Sequence, residues 1–170
     1  MKKFFLLAFV LFTVLTGFGQ NNNVYAYIID NSGTPTNVRN SPNGKVVAQL
    51  DPDENCVVEL LSVKNNWWRI APEVITEGDN PRDFSLKGSK TGYWIHYSLI
   101  YFGIAGDPTS CVRTSPSYKA SVVSLEGCSE LIFHPLAISG KWIKVVSDDK
   151  RVKGWMPTDR ICFNPLTTCP

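Results

Sequence analysis

The sequence predicts an all-β protein built as two small, partly open β-barrels in tandem, closely docked. Three observations carry this expectation. First, Gly33-Thr34-Pro35-Thr36-Asn37-Val38-Arg39-Asn40-Ser41-Pro42 returns, with one inserted residue, as Gly106-Asp107-Pro108-Thr109-Ser110-Cys111-Val112-Arg113-Thr114-Ser115-Pro116. Second, short β-branched and aromatic runs alternate with Gly, Pro, Asn and Asp clusters, residues that favour turns for backbone reasons. Third, no stretch of about twelve residues beyond the N-terminal segment sustains a helical period. The repeat length, about 75 residues, is too long for a solenoid unit and suits a small domain.

Residues 1–19 precede both copies. Lys2 and Lys3 form a positive start, Phe4 to Leu15 is apolar apart from Thr13, and Gly17-Phe18-Gly19 offers a small-x-small cleavage site before Gln20. This pattern reads as a secretory signal peptide, its core being short for a membrane span. An uncleaved anchor is the alternative. The expected location is secreted or periplasmic, with membrane contact only through the signal segment before cleavage.

The first copy, 20–102, offers strands at Val24–Ile29, Val46–Leu50, Cys56–Val63, Trp67–Ile70 and Tyr93–Ile95. Turns are expected at Asn31-Ser32-Gly33, Ser41-Pro42-Asn43-Gly44, Asp51-Pro52-Asp53 and Lys64-Asn65-Asn66. The segment 71–92 has no counterpart in the second copy and should extend one hairpin outward, as a functional or a merely mobile loop. The second copy, 103–170, repeats the rhythm with Val122-Val123, Glu130–Phe133, Trp142–Val146 and Gly154–Met156. Almost no linker separates the copies, and Tyr101 and Phe102 are placed to serve both. So short and apolar a join argues for docked units, and a barrel of about 65 residues is marginal alone. The tail from Phe163 reads as a strap pinned by a disulfide, most naturally onto the second barrel.

The chain resembles the bacterial Src-homology-3-like (SH3) family. Three ordered segments carry the resemblance in each copy. Asn37-Val38-Arg39-Asn40-Ser41-Pro42 and Cys111-Val112-Arg113-Thr114-Ser115-Pro116 are similar to the family's N-V-R-x-G-P start, with Ser41 and Ser115 where glycine is common. Trp67-Trp68-Arg69-Ile70 and Trp142-Ile143-Lys144-Val145 are similar to its W-Y-K-V strand. Trp94-Ile95-His96 and Gly154-Trp155-Met156-Pro157 are similar to its closing G-W-V strand. The resemblance implies a ligand groove near the loop after the first motif and its facing aromatics. Carried over, the candidate binding residues are Asn37, Arg39, Trp68 and Tyr97 in the first copy, and Arg113, Tyr118 and Asp159 in the second. Arg39 and Arg113 have a competing structural role, a bond across their own turn. The tryptophans that recur at matched positions, Trp67 with Trp142 and Trp94 with Trp155, are expected in the core. Trp68, matched by Ile143, is left for a partner or for the seam between units.

Composition excludes several classes. Without Lys2 and Lys3 the chain has 15 basic and 15 acidic residues, so a nucleic-acid partner is not indicated. Five cysteines leave at least one unpaired within the chain. Cys56, set among Val57, Val58, Leu60 and Leu61, is the best candidate for a buried free thiol. Four cysteines, Cys111, Cys128, Cys162 and Cys169, fall in the second copy, where bridges are expected if the compartment is oxidising. No CxxC pair supports zinc, and no metal or cofactor is expected. His96 and His134 do not occupy matched positions, and no catalytic fingerprint is present, so no enzyme is expected. Two readings remain. One is a non-catalytic binding module for cell-wall peptide or another envelope ligand, and the other is an adaptor or inhibitor of an envelope protein.

Overall fold

The computed structural model describes residues 23–77, 81–105, 112–123 and 131–164; the segment read as a signal peptide lies outside them. The described chain is all-β, with single 3-10 turns at Tyr97–Leu99 and Thr158–Arg160. The first half supplies β1 (Val24–Ile28), β2 (Thr36–Arg39), β3 (Val46–Leu50), β4 (Asn55–Lys64), β5 (Trp67–Glu77), β6 (Asp83–Ser85), β7 (Tyr93–His96) and β8 (Ile100–Tyr101). These form one sheet in the order β3-β2-β7-β5-β4-β1-β8, with β6 added beside β5. The second half supplies β9 (Gly103–Ile104), β10 (Phe133–Ser139), β11 (Trp142–Ser147), β12 (Lys153–Pro157) and β13 (Ile161–Cys162). Here β10-β11-β12 form a sheet and β13 pairs with β9.

The strand registers show how far the two halves correspond. In the first, Trp67 lies opposite His96, Trp68 opposite Ile95, Arg69 opposite Trp94 and Ile70 opposite Tyr93. In the second, Trp142 lies opposite Pro157, Ile143 opposite Met156, Lys144 opposite Trp155 and Val145 opposite Gly154. A 3-10 turn follows in each. Then β8 pairs with β1 through Ile28 and Ile100, as β13 pairs with β9 through Ile104 and Ile161. Arg39 pairs with Trp94, and Arg113 bridges to Trp155 and Val122. Where β2 and β3 would recur, the described residues show isolated bridges around Arg113. Gly154 is needed at this join, because a Cβ there would sit 2.5 Å from the Arg113 carbonyl oxygen.

The join between the halves is a run of paired backbone. Tyr101 pairs with Tyr27, Phe102 bridges to Phe133, and Gly103 pairs with Cys162. Consecutive residues therefore close one half and open the other. Phe102 and Phe133 are fully buried, and one continuous core cluster runs from Val24 to Met156 across both halves.

Period-2 alternation decides which side chains enter that core. Trp68, Ile70 and Ile95 point inward, as do Ile143, Val145 and Met156. This corrects the expected roles of the tryptophans. Trp68 is 0% exposed, and its indole N–H donates to the Pro135 carbonyl at 2.9 Å, across the seam. Trp67, Trp94 and Trp155 are half-buried on the opposite face; Trp142, on that face too, is buried. Matching the repeats shows that two positions share a face without showing which face it is.

Other departures have local causes. β10 begins at Phe133 and runs through Pro135 with a register shift between Pro135 and Ala137; a bulge of this kind accommodates a proline inside a strand. The insert does extend a hairpin. β5 continues past Ile70 so that Val74 and Ile75 pair with Val58 and Val57, and β6 returns along Glu73–Ile75. Asn65 and Asn66, with φ of 51° and 68°, make the tight β4–β5 turn. Of the tail read as a strap, residues 165–170 lie outside those described, and Asn164 reaches the first half. Asn164 donates to the Tyr27 hydroxyl at 2.9 Å and to Glu77 Oε2 at 2.8 Å, while the Tyr27 hydroxyl itself donates to Glu77.

Candidate ligand cleft

The sequence-predicted site residues fall into three groups. Arg113, Tyr118 and Asp159 come together. Residues Asn37 and Arg39 lie on the outward face of β2. Trp68 is fully buried at the seam, and Tyr97, half-buried, lies beside it among the rings of His96 and His134.

The cleft of the second half is built from its hairpins. Gly140, with φ of 56°, turns β10 into β11 and delivers Lys141 and Trp142. The turn after β12 sets Thr158 and Asp159 beside them, held by the Thr158 N–H donating to the Lys141 carbonyl at 2.9 Å. The loop after Arg113 carries Tyr118 across the Trp142 ring, with centroids 4.8 Å apart and planes tilted by 60°. Arg113 fixes that loop. Its guanidinium donates to the Ala120 carbonyl at 2.8 Å and lies 5.9 Å from the centre of the Tyr118 ring. Asn23, Tyr118, Lys141, Thr158 and Asp159 line a cavity of about 310 Å³. Trp142 is 9% exposed and forms the support, while Tyr118 is 66% exposed and forms the wall a ligand would meet. Lys141 and Asp159 are exposed and, among the described residues, neither is paired with a charge. The cleft thus presents an aromatic wall between a free ammonium and a free carboxylate.

Arg39 repeats the Arg113 bond, donating to the Gly44 carbonyl at 2.7 Å, and lies 5.7 Å from the Trp67 ring centre. Both arginines therefore hold their own turns, the structural role weighed from sequence. The first half has no aromatic in place of Tyr118. Tyr97 instead joins a chain of rings running into the seam, 4.8 Å from His96 and 6.0 Å from His134. His134 is 1% exposed, its ring nitrogens bonded to the Ile100 carbonyl at 3.1 Å and to Asp148 at 2.9 Å. Lys141 and Thr158 were missed from sequence, although each adjoins a motif residue. Their positions in the hairpin and the 3-10 turn are the signal that finds them.

Cys56 is a free thiol, 1% exposed, and burial, then Glu54 and Asp51, push its pKa up to about 11, so it stays protonated. Cys162 is buried at 8% exposure and is not a free thiol. Cys111, Cys128 and Cys169 also lie outside them. Among the described residues no group of three or more His, Cys, Asp or Glu could hold a metal ion.

No family model matches the chain, and no curated protein matches it. Among solved structures it is similar to NlpC1 from Trichomonas vaginalis, at 9% identity and a TM-score of 0.29. That match covers 84% of this chain and 46% of the other, so the chain spans less than half of the protein it resembles. A likeness at that score carries no argument about fold or function.

Proposed function

We propose that this protein is a non-catalytic, extracytoplasmic binding module made of two SH3-like barrels that share a core, and that its ligand is a peptide of the cell envelope. The observation that carries the reading is the cleft of the second half. An exposed tyrosine, backed by a tryptophan, stands between unpaired Lys141 and Asp159. Such a site suits a short peptide bearing both a carboxylate and an amino group, as cell-wall stem peptides do. Pockets of this size with a few convergent polar groups are the usual form of ligand sites. Sedimentation of the full chain with purified peptidoglycan tests it. Wild type should sediment, and Tyr118→Ala and Lys141→Glu should not. Absence of wild-type sedimentation overturns it in favour of a protein-partner role.

One observation favours that second reading. Tyr25, Val57, Ile75 and Phe163 line an apolar hollow of about 230 Å³ bordered by Glu77, with Ile75 39% and Phe163 43% exposed. Apolar surface of this kind is where an envelope protein would dock.

A further inference from the structure

The face opposite the core in the first half has a chemistry of its own. Strands β2, β7 and β5 turn Arg39, Trp94, His96, Trp67 and Arg69 outward, since Arg39 lies opposite Trp94, Trp94 opposite Arg69, and Trp67 opposite His96. Trp67 and Trp94 are therefore diagonal neighbours on adjacent strands, about 7 Å apart at Cβ. Both are half-buried; Arg39 lies over the Trp67 ring at 5.7 Å and His96 meets it edge-on at 5.3 Å, and no ring or cation contact covers Trp94 among the described residues. Gly92, at φ +118°, lets the chain pass close by. A Cβ there would meet Arg69 Nε at 2.8 Å and Trp94 Nε1 at 3.3 Å, which places the guanidinium beside the indole N–H.

The hydrogen-bonding inventory of this face is one-sided. Among the described residues, Arg69 has no ion pair or hydrogen bond, and the indole N–H groups of Trp67 and Trp94 have no acceptor. The Asn37 carbonyl is taken by Gln49 at 3.1 Å, leaving the Asn37 amide N–H₂ outward. β2, β3 and β7 hold no Asp or Glu; Glu73 and Glu77 of β5 lie beyond its bend. The surface offers donors, one free guanidinium and two indole rings. An acceptor-rich polymer with flat apolar faces and negative charge is well matched, because indole combines an apolar face with a polar N–H.

We propose that the outward face of β2, β7 and β5 binds a linear acidic glycan, its sugar rings laid on Trp67 and Trp94 and a carboxylate taken by Arg69. A single-stranded nucleic acid shares the stacking and the charge, but it requires a track of cations along its phosphates. Arg39 is committed to Gly44, and the strands themselves set only Arg69 and Lys64 beside Trp94 and Trp67.

The test is titration of the full chain with size-defined polygalacturonate, read by tryptophan fluorescence and calorimetry, beside neutral dextran and oligo(dT). Polygalacturonate should bind and quench, dextran should not bind, and Arg69→Gln should weaken binding at least about tenfold. Trp94→Ala should do the same while still melting cooperatively, and Tyr118→Ala, in the other half, should leave binding unchanged. No binding of polygalacturonate, equal binding of oligo(dT), or full retention in Arg69→Gln overturns the proposal.

Discussion

The two halves agree where they face the core and diverge where they face water. Trp68, Ile70 and Ile95 occupy the same registers as Ile143, Val145 and Met156, and all six are buried to 1% exposure or less. On the other face the first half sets Arg39 over Trp67, with His96 at the edge of that ring, and leaves Trp94 beside Arg69. The second half caps its own rings, with Tyr118 on Trp142 and Lys144 5.8 Å from the centre of Trp155. A core position must fill a fixed volume at crystal-like density, so its changes are limited. An outward position has no such partner, and the two copies can acquire different surfaces on one scaffold. The exception on the inner side is instructive. Trp68 is larger than Ile143, and its extra reach is used to bond Pro135 of the other half. The asymmetry in the core is therefore at the seam.

The sharpest way to break this comparison is at Trp68. Trp68→Ala should destabilise the chain by about 3–5 kcal/mol, as truncation of a buried aromatic does, and it leaves the Pro135 carbonyl without its donor. Ile143→Ala, the matched change, should cost about 2–5 kcal/mol. Both should shift one cooperative urea transition, because Phe102 and Phe133 join the halves in one core. Two separated transitions, with each variant moving only its own, would show that the halves fold independently. For the same reason halves expressed alone should be unstable.

What the sequence revealed follows from what it encodes locally. The repeat, the turn residues and most strands were legible, since Asn, Gly and β-branched runs act within a few residues. The strand at Phe133–Ser139 was misplaced because Pro135 argues against a strand unless a bulge is known. The faces of the tryptophans were not legible, since Trp67-Trp68 is apolar on both sides and only pairing with β7 chooses between them. The motif loops point to Tyr118 and Asp159, which line the cleft of the second half, and of the two places read for Trp68, a partner or the seam, the register selects the seam. Nothing near Asn164 in sequence points to Tyr27 or Glu77, so its bonds to the first half were not legible.

That tail contact supplies the next test. Asn164→Ala removes two hydrogen bonds from the Tyr27–Glu77 pair, one of them to a carboxylate, and should cost about 1–3 kcal/mol. Tyr27→Phe should cost a similar amount. The double variant should fall short of the sum, because the three groups act as one network. Additive losses in denaturant melts would mean that the tail does not depend on the first half. Next in size, Tyr118→Ala exposes Trp142 and should cost about 0.5–1.5 kcal/mol, the worth of an aromatic pair, while abolishing peptide binding.

The smallest expected effect lies at His96, which stands where the second half has Pro157. Burial lowers the His96 pKa below its ordinary value of 6.5. The folded state therefore takes up its proton later than the unfolded state as pH falls. Above the unfolded pKa both forms are neutral and His96 costs nothing. Below it the unfolded chain gains the proton first, so stability declines until the folded pKa is passed. His96 sits at the edge of Trp67, 5.3 Å away, and bonds Ser98 at 2.8 Å, so a neutral, polar replacement keeps most of its setting. His96→Gln should leave stability near pH 8 almost unchanged and lessen the loss seen between pH 6.5 and 5. A variant that loses stability in parallel with wild type over that range would show that the acid sensitivity of the first half arises elsewhere.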